Sequence, residues 1–173
     1  MRSTLPLALV MSLGAAASGG ASAAASDLAC TLRAPAQVAA GAPVPLRFTF
    51  SNRSAQALQV LEWGTPLEGW FAAYVEVTRD GVALPYRGPM IKRGDPTRDE
   101  YQRIAAHRTR RATVDLAQPF DLAQPGLYRV TPRLTLFDVV VDGAAPLPRS
   151  REQQAAQPLP CNAVEIRIAA KAR

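Results

Sequence analysis

The chain has 173 residues, of which 20 are Lys or Arg, 14 are Asp or Glu and one is His; that length suits one domain with a core of ordinary size and excludes a multidomain machine. The net charge of +6 at pH 7 is compatible with an acidic protein, an anionic envelope surface or nucleic acid as partner. A single histidine excludes a metal site built on two imidazoles, and no H-E-x-x-H run is present.

Met1-Arg2-Ser3-Thr4 followed by an apolar run from Leu5 to Ala17 has the charged start and hydrophobic centre of a secretory signal, and it is too short to span a bilayer. Ala21-Ser22-Ala23 supplies an A-x-A site, with Ala23-Ala24-Ala25 an equally good frame. Residues 1–25 therefore read as a removable export signal and residues 26–173 as a single secreted or periplasmic domain with no transmembrane segment. Export makes nucleic acid the wrong partner for the basic charge. Cys30 and Cys161 are expected to form a disulfide in an oxidising compartment, closing a loop worth roughly 4–5 kcal/mol in the chain-entropy view. The competing reading makes Cys30 a lipidated residue after Asp27-Leu28-Ala29, but Asp27 stands where an aliphatic side chain belongs.

Beyond the signal the pattern is one of short alternating segments punctuated by Pro and Gly, an all-β signature. Cys30-Thr31-Leu32 opens a strand, and Ala34 to Pro43 reads as a turn-rich connection. Val44, Leu46, Phe48 and Phe50 alternate with polar residues, Asn52-Arg53-Ser54 turns, and Leu58 to Trp63 forms the next strand before Gly64-Thr65-Pro66. Tyr74 to Thr78 and Val82-Ala83-Leu84 flank Asp80-Gly81, a tight-hairpin signal, and should pair antiparallel. From Arg87 to Arg111 the alternation fails and eight Lys or Arg face three acids, as in a long basic loop with at most a helical turn. Ala112 to Leu116, Leu127 to Val130 after Pro125-Gly126, Leu134 to Val141 and Val164 to Ile168 complete the strands, with Ala144 to Pro160 a polar loop. The expectation is an immunoglobulin-like antiparallel β-sandwich of about seven to nine strands; a closed barrel is the alternative.

A catalytic constellation is not evident. His107 sits among Arg108, Arg110 and Arg111 with no serine elbow, and reads as a solvated loop residue. The carboxylates Glu62, Glu68, Asp95, Asp99 and Glu100 show no acid/base spacing, and no glycine-rich phosphate loop occurs. Asn52-Arg53-Ser54 matches a glycosylation acceptor formally but is already explained as a turn. Two segments stand out. Trp63 to Phe71 gathers both tryptophans and a phenylalanine in a turn-rich connection, where exposed aromatics would serve as binding anchors; the alternative is that they pack over one end of the sandwich. The Arg87 to Arg111 segment is either a solvated charged loop or an electrostatic docking surface.

Leu61-Glu62-Trp63-Gly64-Thr65-Pro66-Leu67-Glu68-Gly69, Val77-Thr78-Arg79-Asp80-Gly81, Tyr86-Arg87-Gly88, Lys92-Arg93-Gly94-Asp95-Pro96 and Tyr101 resemble the amino-terminal, non-catalytic region of bacterial deuterolysin-type peptidyl-Lys metalloendopeptidases. Val114-Asp115-Leu116, Phe120-Asp121-Leu122, Pro125-Gly126-Leu127-Tyr128 and Asn162 to Ile166 continue the resemblance in the same order. In that family a zinc protease domain follows; here no zinc ligand or catalytic glutamate has a counterpart, so the resemblance implies a pro-region-like role without catalysis or cofactor. The expected function is that of an exported protein-binding module, an inhibitor or folding partner of an exported metalloprotease. Its expected contact residues are Trp63, Thr65, Pro66, Leu67, Glu68, Trp70, Phe71, Lys92, Arg93, Arg98 and Arg103. A general envelope interaction domain, or a remnant of a metalloendopeptidase, are the other readings.

Overall fold

The structure, a computed structural model, describes residues 27–170; the export signal expected over residues 1–25 lies outside the described residues. The chain opens with β1 (Leu28–Arg33), β2 (Gln37–Ala39) and β3 (Pro45–Asn52). In β3, Leu46, Phe48 and Phe50 are fully buried while Pro45 and Arg47 face solvent, because successive side chains of a strand point to opposite faces. Then follow β4 (Leu58–Leu61), β5 (Val75–Arg79), β6 (Val82–Ala83), a 3-10 turn at Arg98–Glu100, β7 (Tyr101–Ile104) and β8 (Thr109–Asp115). The remainder comprises β9 (Gly126–Pro132), β10 (Leu134–Leu136), β11 (Val139–Val141), a second 3-10 turn at Arg151–Gln153, β12 (Gln157–Leu159) and β13 (Val164–Ala169).

These strands form sheets of order β1-β3-β8, β11-β4-β7, β10-β12 and β2-β13-β9-β5-β6. Leu32, Phe48 and Phe50 from the first sheet and Val77, Tyr128, Val130 and Ile166 from the last share one buried cluster, so the fold is the immunoglobulin-like β-sandwich that the alternation predicts. The expected β5–β6 hairpin forms around Asp80 and Gly81, both with positive φ, the conformation a tight two-residue turn demands. Cys30 and Cys161 are joined across 131 residues, which sets aside a lipidated Cys30. Beside the bridge the Asn162 side chain accepts from the Leu32 N–H and donates to the Leu32 carbonyl, both at 2.9 Å, so the open edge of β1 is capped by an amide rather than left for another strand.

The sequence-based strand map needs four corrections. The described residues hold thirteen strands rather than seven to nine, several of only two or three residues, too short for a periodicity to register. One pairing is parallel, β2 with β13; β2 lies inside the stretch read as a turn-rich connection, and its partner is far away in sequence. The Arg87 to Arg111 segment is not all loop, since β7 pairs with β4 and the start of β8 pairs with β3. Tyr101 and Ile104 are the buried positions of β7, a spacing of three that period-2 reading misses. Finally, Leu134 to Val141 breaks at Phe137-Asp138 into strands of two different sheets, and the "polar loop" after it contains β12, the partner of β10. Asp138 sits at the break, where its buried carboxylate accepts from Tyr101 Oη at 2.8 Å and from Arg149 Nη1 at 3.0 Å.

Candidate functional site

β4 ends at Leu61, two residues before the sequence pattern suggests, and the chain then turns tightly. The Thr65 N–H and hydroxyl both donate to the Glu62 carbonyl, at 3.1 and 2.6 Å. Gly64 adopts φ +64°, and a Cβ there would stand 3.0 Å from Phe137 Cε2; conformation and close approach together require glycine. Its N–H donates to Glu68 Oε1 at 2.7 Å.

Glu68 anchors a charged knot. Arg93 bridges Glu68 and, at 3.3 Å, Glu100, and its guanidinium lies 5.1 Å from the centre of the Trp63 ring, within cation–π range. The Trp63 Nε1–H donates to Glu100 Oε1 at 2.8 Å. Glu100 is itself held by the Thr97 N–H at 2.7 Å, as in a capping box. Arg151 fastens the loop from the other side: its Nη1 donates to the Arg93 carbonyl and its N–H to Asp95 Oδ1, both at 3.0 Å.

Electrostatics follow burial and partners. Burial pushes the Glu68 carboxyl above its ordinary value, against the opposing pull of the Gly64 N–H and Arg93. Burial does the same to Glu62, opposed by a hydrogen bond from Gln102. At Glu100 burial also pushes upward, but the Thr97 N–H and the Trp63 and Thr97 side chains outweigh it and hold the group below the usual carboxylate range.

Beside this knot lies a cleft of about 240 Å³ lined by Trp63, Gly64, Ile91, Arg93, Phe137 and Arg151 among others. Two of its lining residues, Ile91 and Phe137, are among the large hydrophobic side chains exposed among the described residues, and two more, Phe71 and Met90, are the chain neighbours of the lining residues Ala72 and Ile91. The Ile91 N–H donates to the Phe71 carbonyl at 3.3 Å, which ties the two apolar loops together.

The expected contact residues divide accordingly. Trp63, Glu68, Phe71, Lys92 and Arg93 belong to the two loops that build the cleft. Trp63, Thr65, Pro66 and Trp70 are buried, so of the two readings of this segment the indoles follow the one in which they pack against the sandwich. Trp70 stacks on Tyr74, rings 4.6 Å apart and parallel, and its Nε1–H donates to the Asp115 carbonyl; indoles with a satisfied N–H gain most by burial. Leu67 is half-buried, Arg98 is exposed on the 3-10 turn, and Arg103 points elsewhere, to Asp142 at 2.7 Å. Sequence reasoning missed Ile91, Phe137, Glu100 and Arg151. Glu100 was signalled by its position three residues after Thr97, and Phe137 by the break in alternation at Asp138.

His107 is exposed in the turn between β7 and β8. Among the described residues no three His, Cys, Asp or Glu side chains group closely enough to hold a metal ion, and no helix is long and apolar enough to cross a membrane.

No known protein-family profile matches the chain. An extracellular protease of Aeromonas hydrophila is 27% identical over 114 residues, which cover 66% of this chain and 32% of that protein; the matched region is thus about a third of the relative's length. The CARDB domain of a Pyrococcus furiosus protein is 12% identical with a TM-score of 0.31, covering 78% of this chain and 94% of that domain. A β-glucosidase of Listeria innocua gives 16% identity and a TM-score of 0.29, over 78% of this chain and 16% of that enzyme. Structural likeness at that level transfers no function.

Proposed function

We propose that this chain is an exported, non-catalytic protein-binding module that engages an exported metalloprotease as inhibitor or folding partner. The observation that carries the reading is the cleft between Trp63, Ile91 and Phe137, an apolar recess on a scaffold locked by the Arg93–Glu68–Glu100 ion pairs, with Lys92 and Arg98 exposed on the same loop segment. Apolar anchors in a preformed pocket within a charged rim are what a protein interface needs for affinity and orientation. The disulfide and the similarity to an extracellular protease support export.

The link to a protease rests on that similarity and on the resemblance to the non-catalytic region of peptidyl-Lys metalloendopeptidases. The residues that carry the resemblance most specifically, Trp63 to Gly69 and Lys92 to Pro96, are also those that build the charged knot and one wall of the cleft. The deciding experiment mixes the purified, oxidised protein with a deuterolysin-type peptidyl-Lys metalloendopeptidase and follows complex formation and residual peptidase activity. Saturable inhibition supports the inhibitor form and binding without inhibition the folding-partner form. No binding to any exported metalloprotease would leave a general envelope interaction domain.

A further inference from the structure

The outward face of the β1-β3-β8 sheet carries a second surface, on a different sheet from the cleft. Its outward side chains are fixed by register. Arg33 stands directly opposite Arg47, which stands opposite Thr113; in the neighbouring row Thr31 stands opposite Thr49, and Thr49 opposite Arg111. Arg33, Arg47, Arg111, Thr31 and Thr113 are exposed and Thr49 half-buried. Like charges placed directly across a strand pair destabilise it, and among the described residues none of these three guanidiniums has a carboxylate within 4.0 Å. Two strand arginines of the β2-β13-β9-β5-β6 sheet or its end are neutralised instead: Arg129 pairs with Glu165 at 3.1 Å and Arg133 with Glu76 at 2.9 Å. The one acid at the margin of this face, Asp115 opposite Pro45, is committed, since its Oδ1 accepts the Val44 and Ala117 N–H groups.

The arginines floor a continuous trough. An open depression of about 570 Å³ is lined by Thr31, Arg33, Arg47, Thr49 and Arg111, and a second of about 280 Å³ shares Arg33 and Arg47 and runs on to Pro35 and Pro45.

We propose that this trough binds a linear acidic polysaccharide. A row of cations spread along a shallow groove fits a chain with anionic groups at intervals better than a single compact anion, which would need a closed pocket. Threonine hydroxyls between the guanidiniums suit sugar hydroxyls as hydrogen-bond partners. The lining has no aromatic side chain on which a nucleic-acid base would stack and no large apolar side chain to enter a bilayer, which argues against the other polyanions of comparable charge.

The test uses heparin and polygalacturonate as probes, with neutral dextran, single-stranded DNA and phosphatidylglycerol vesicles alongside, at about 0.1 M salt where unpaired surface charges still act over about 10 Å. Two variants of equal net charge are compared: Arg33→Thr/Arg47→Thr/Arg111→Thr, and Arg98→Thr/Arg108→Thr/Arg167→Thr, exposed positions in the 3-10 turn before β7, in the turn between β7 and β8, and on β13. Threonine keeps strand propensity, and thermal unfolding of both variants reports that they remain folded. The wild-type protein is expected to bind at least one acidic polysaccharide and not dextran, with Kd rising about tenfold or more in the first variant and less than about threefold in the second. Equal loss in both variants, no binding to either polysaccharide, or tighter binding to DNA or to vesicles would each overturn the proposal.

Discussion

Arg93 lies face-on to Trp63, 5.1 Å from the ring centre, and both side chains bind the same carboxylate, Glu100. Three separate segments, the turn after β4, the Lys92 to Pro96 loop and the 3-10 turn before β7, are thereby fastened at one point. That fastening makes the adjoining cleft a preformed surface, and preformed surfaces bind with less ordering cost.

Removal of Arg93 should therefore be costly. The Glu68 side chain is only 6% exposed and that of Arg93 25%, so Arg93→Ala leaves a nearly buried carboxylate unpaired. The expected loss is about 2–3 kcal/mol, below that of a fully buried pair because Arg93 reaches solvent. Arg93→Lys keeps the charge but not the fork and should lose about 1 kcal/mol. Urea denaturation of Arg93→Ala, Glu68→Gln and the double variant measures the coupling; the double variant should be more stable than the sum of the singles implies.

Two neighbouring aromatics should behave oppositely. Trp70→Ala removes a buried ring stacked on Tyr74 and should cost about 3–5 kcal/mol. Phe71→Ser, at a position 41% exposed, should change stability by less than about 1 kcal/mol. Thermal unfolding separates the two, and a large loss in Phe71→Ser would show that this side chain serves the fold.

The disulfide closes a span of 131 residues. Cys30→Ser/Cys161→Ser should lower stability by about 5 kcal/mol in the chain-entropy view, and a reducing agent should lower the wild-type protein to nearly the same value while leaving the variant unaffected. Denaturant titrations with and without reductant check both.

Acid should act on the charged knot through Glu100. Its folded value lies below the ordinary 4.5, so its ionised form stabilises the fold above about pH 4.5, and that contribution is lost as pH falls through the depressed folded value. The stability difference between wild type and Glu100→Gln should be full near neutrality and should shrink on acidification below the ordinary value. Glu68 has the opposite sign: raised by burial, its ionisation disfavours the fold, so protonation returns stability as pH falls toward 4.5. Parallel urea titrations across the acid range distinguish the two, and a Glu100→Gln difference independent of pH would contradict the assigned direction.

Long alternating strands were readable in the chain. β3 and β13 follow period 2 because each has one wet and one dry face, and Asp80-Gly81 marks the only hairpin whose turn chemistry is unambiguous. β4 reads as a strand through Leu58, Val60 and Leu61, but its Gln59 is buried as well, so burial does not alternate along it and nothing marks its end. β2 and β12 depend on partners distant in the chain and carry no local signal. At the candidate site, Trp63 to Phe71 and Lys92-Arg93 identify the right loops by composition. Composition leaves open which of their aromatics is exposed, because whether an indole is buried depends on packing partners such as Tyr74 and Glu100 that composition does not reveal. Phe137 and Arg151 arrive from distant segments, and only the fold brings them to the cleft.

The most direct test of the protein-binding reading is calorimetric titration of the oxidised protein into a deuterolysin-type peptidyl-Lys metalloendopeptidase. Wild type is compared with Phe71→Ser/Phe137→Ser and with Val82→Ser/Leu127→Ser, which alters the two exposed hydrophobics away from the cleft. Saturable binding is expected, weakened about tenfold or more by the first variant and unchanged by the second. Equal affinity for all three proteins, or no heat of binding from the wild type, would contradict it.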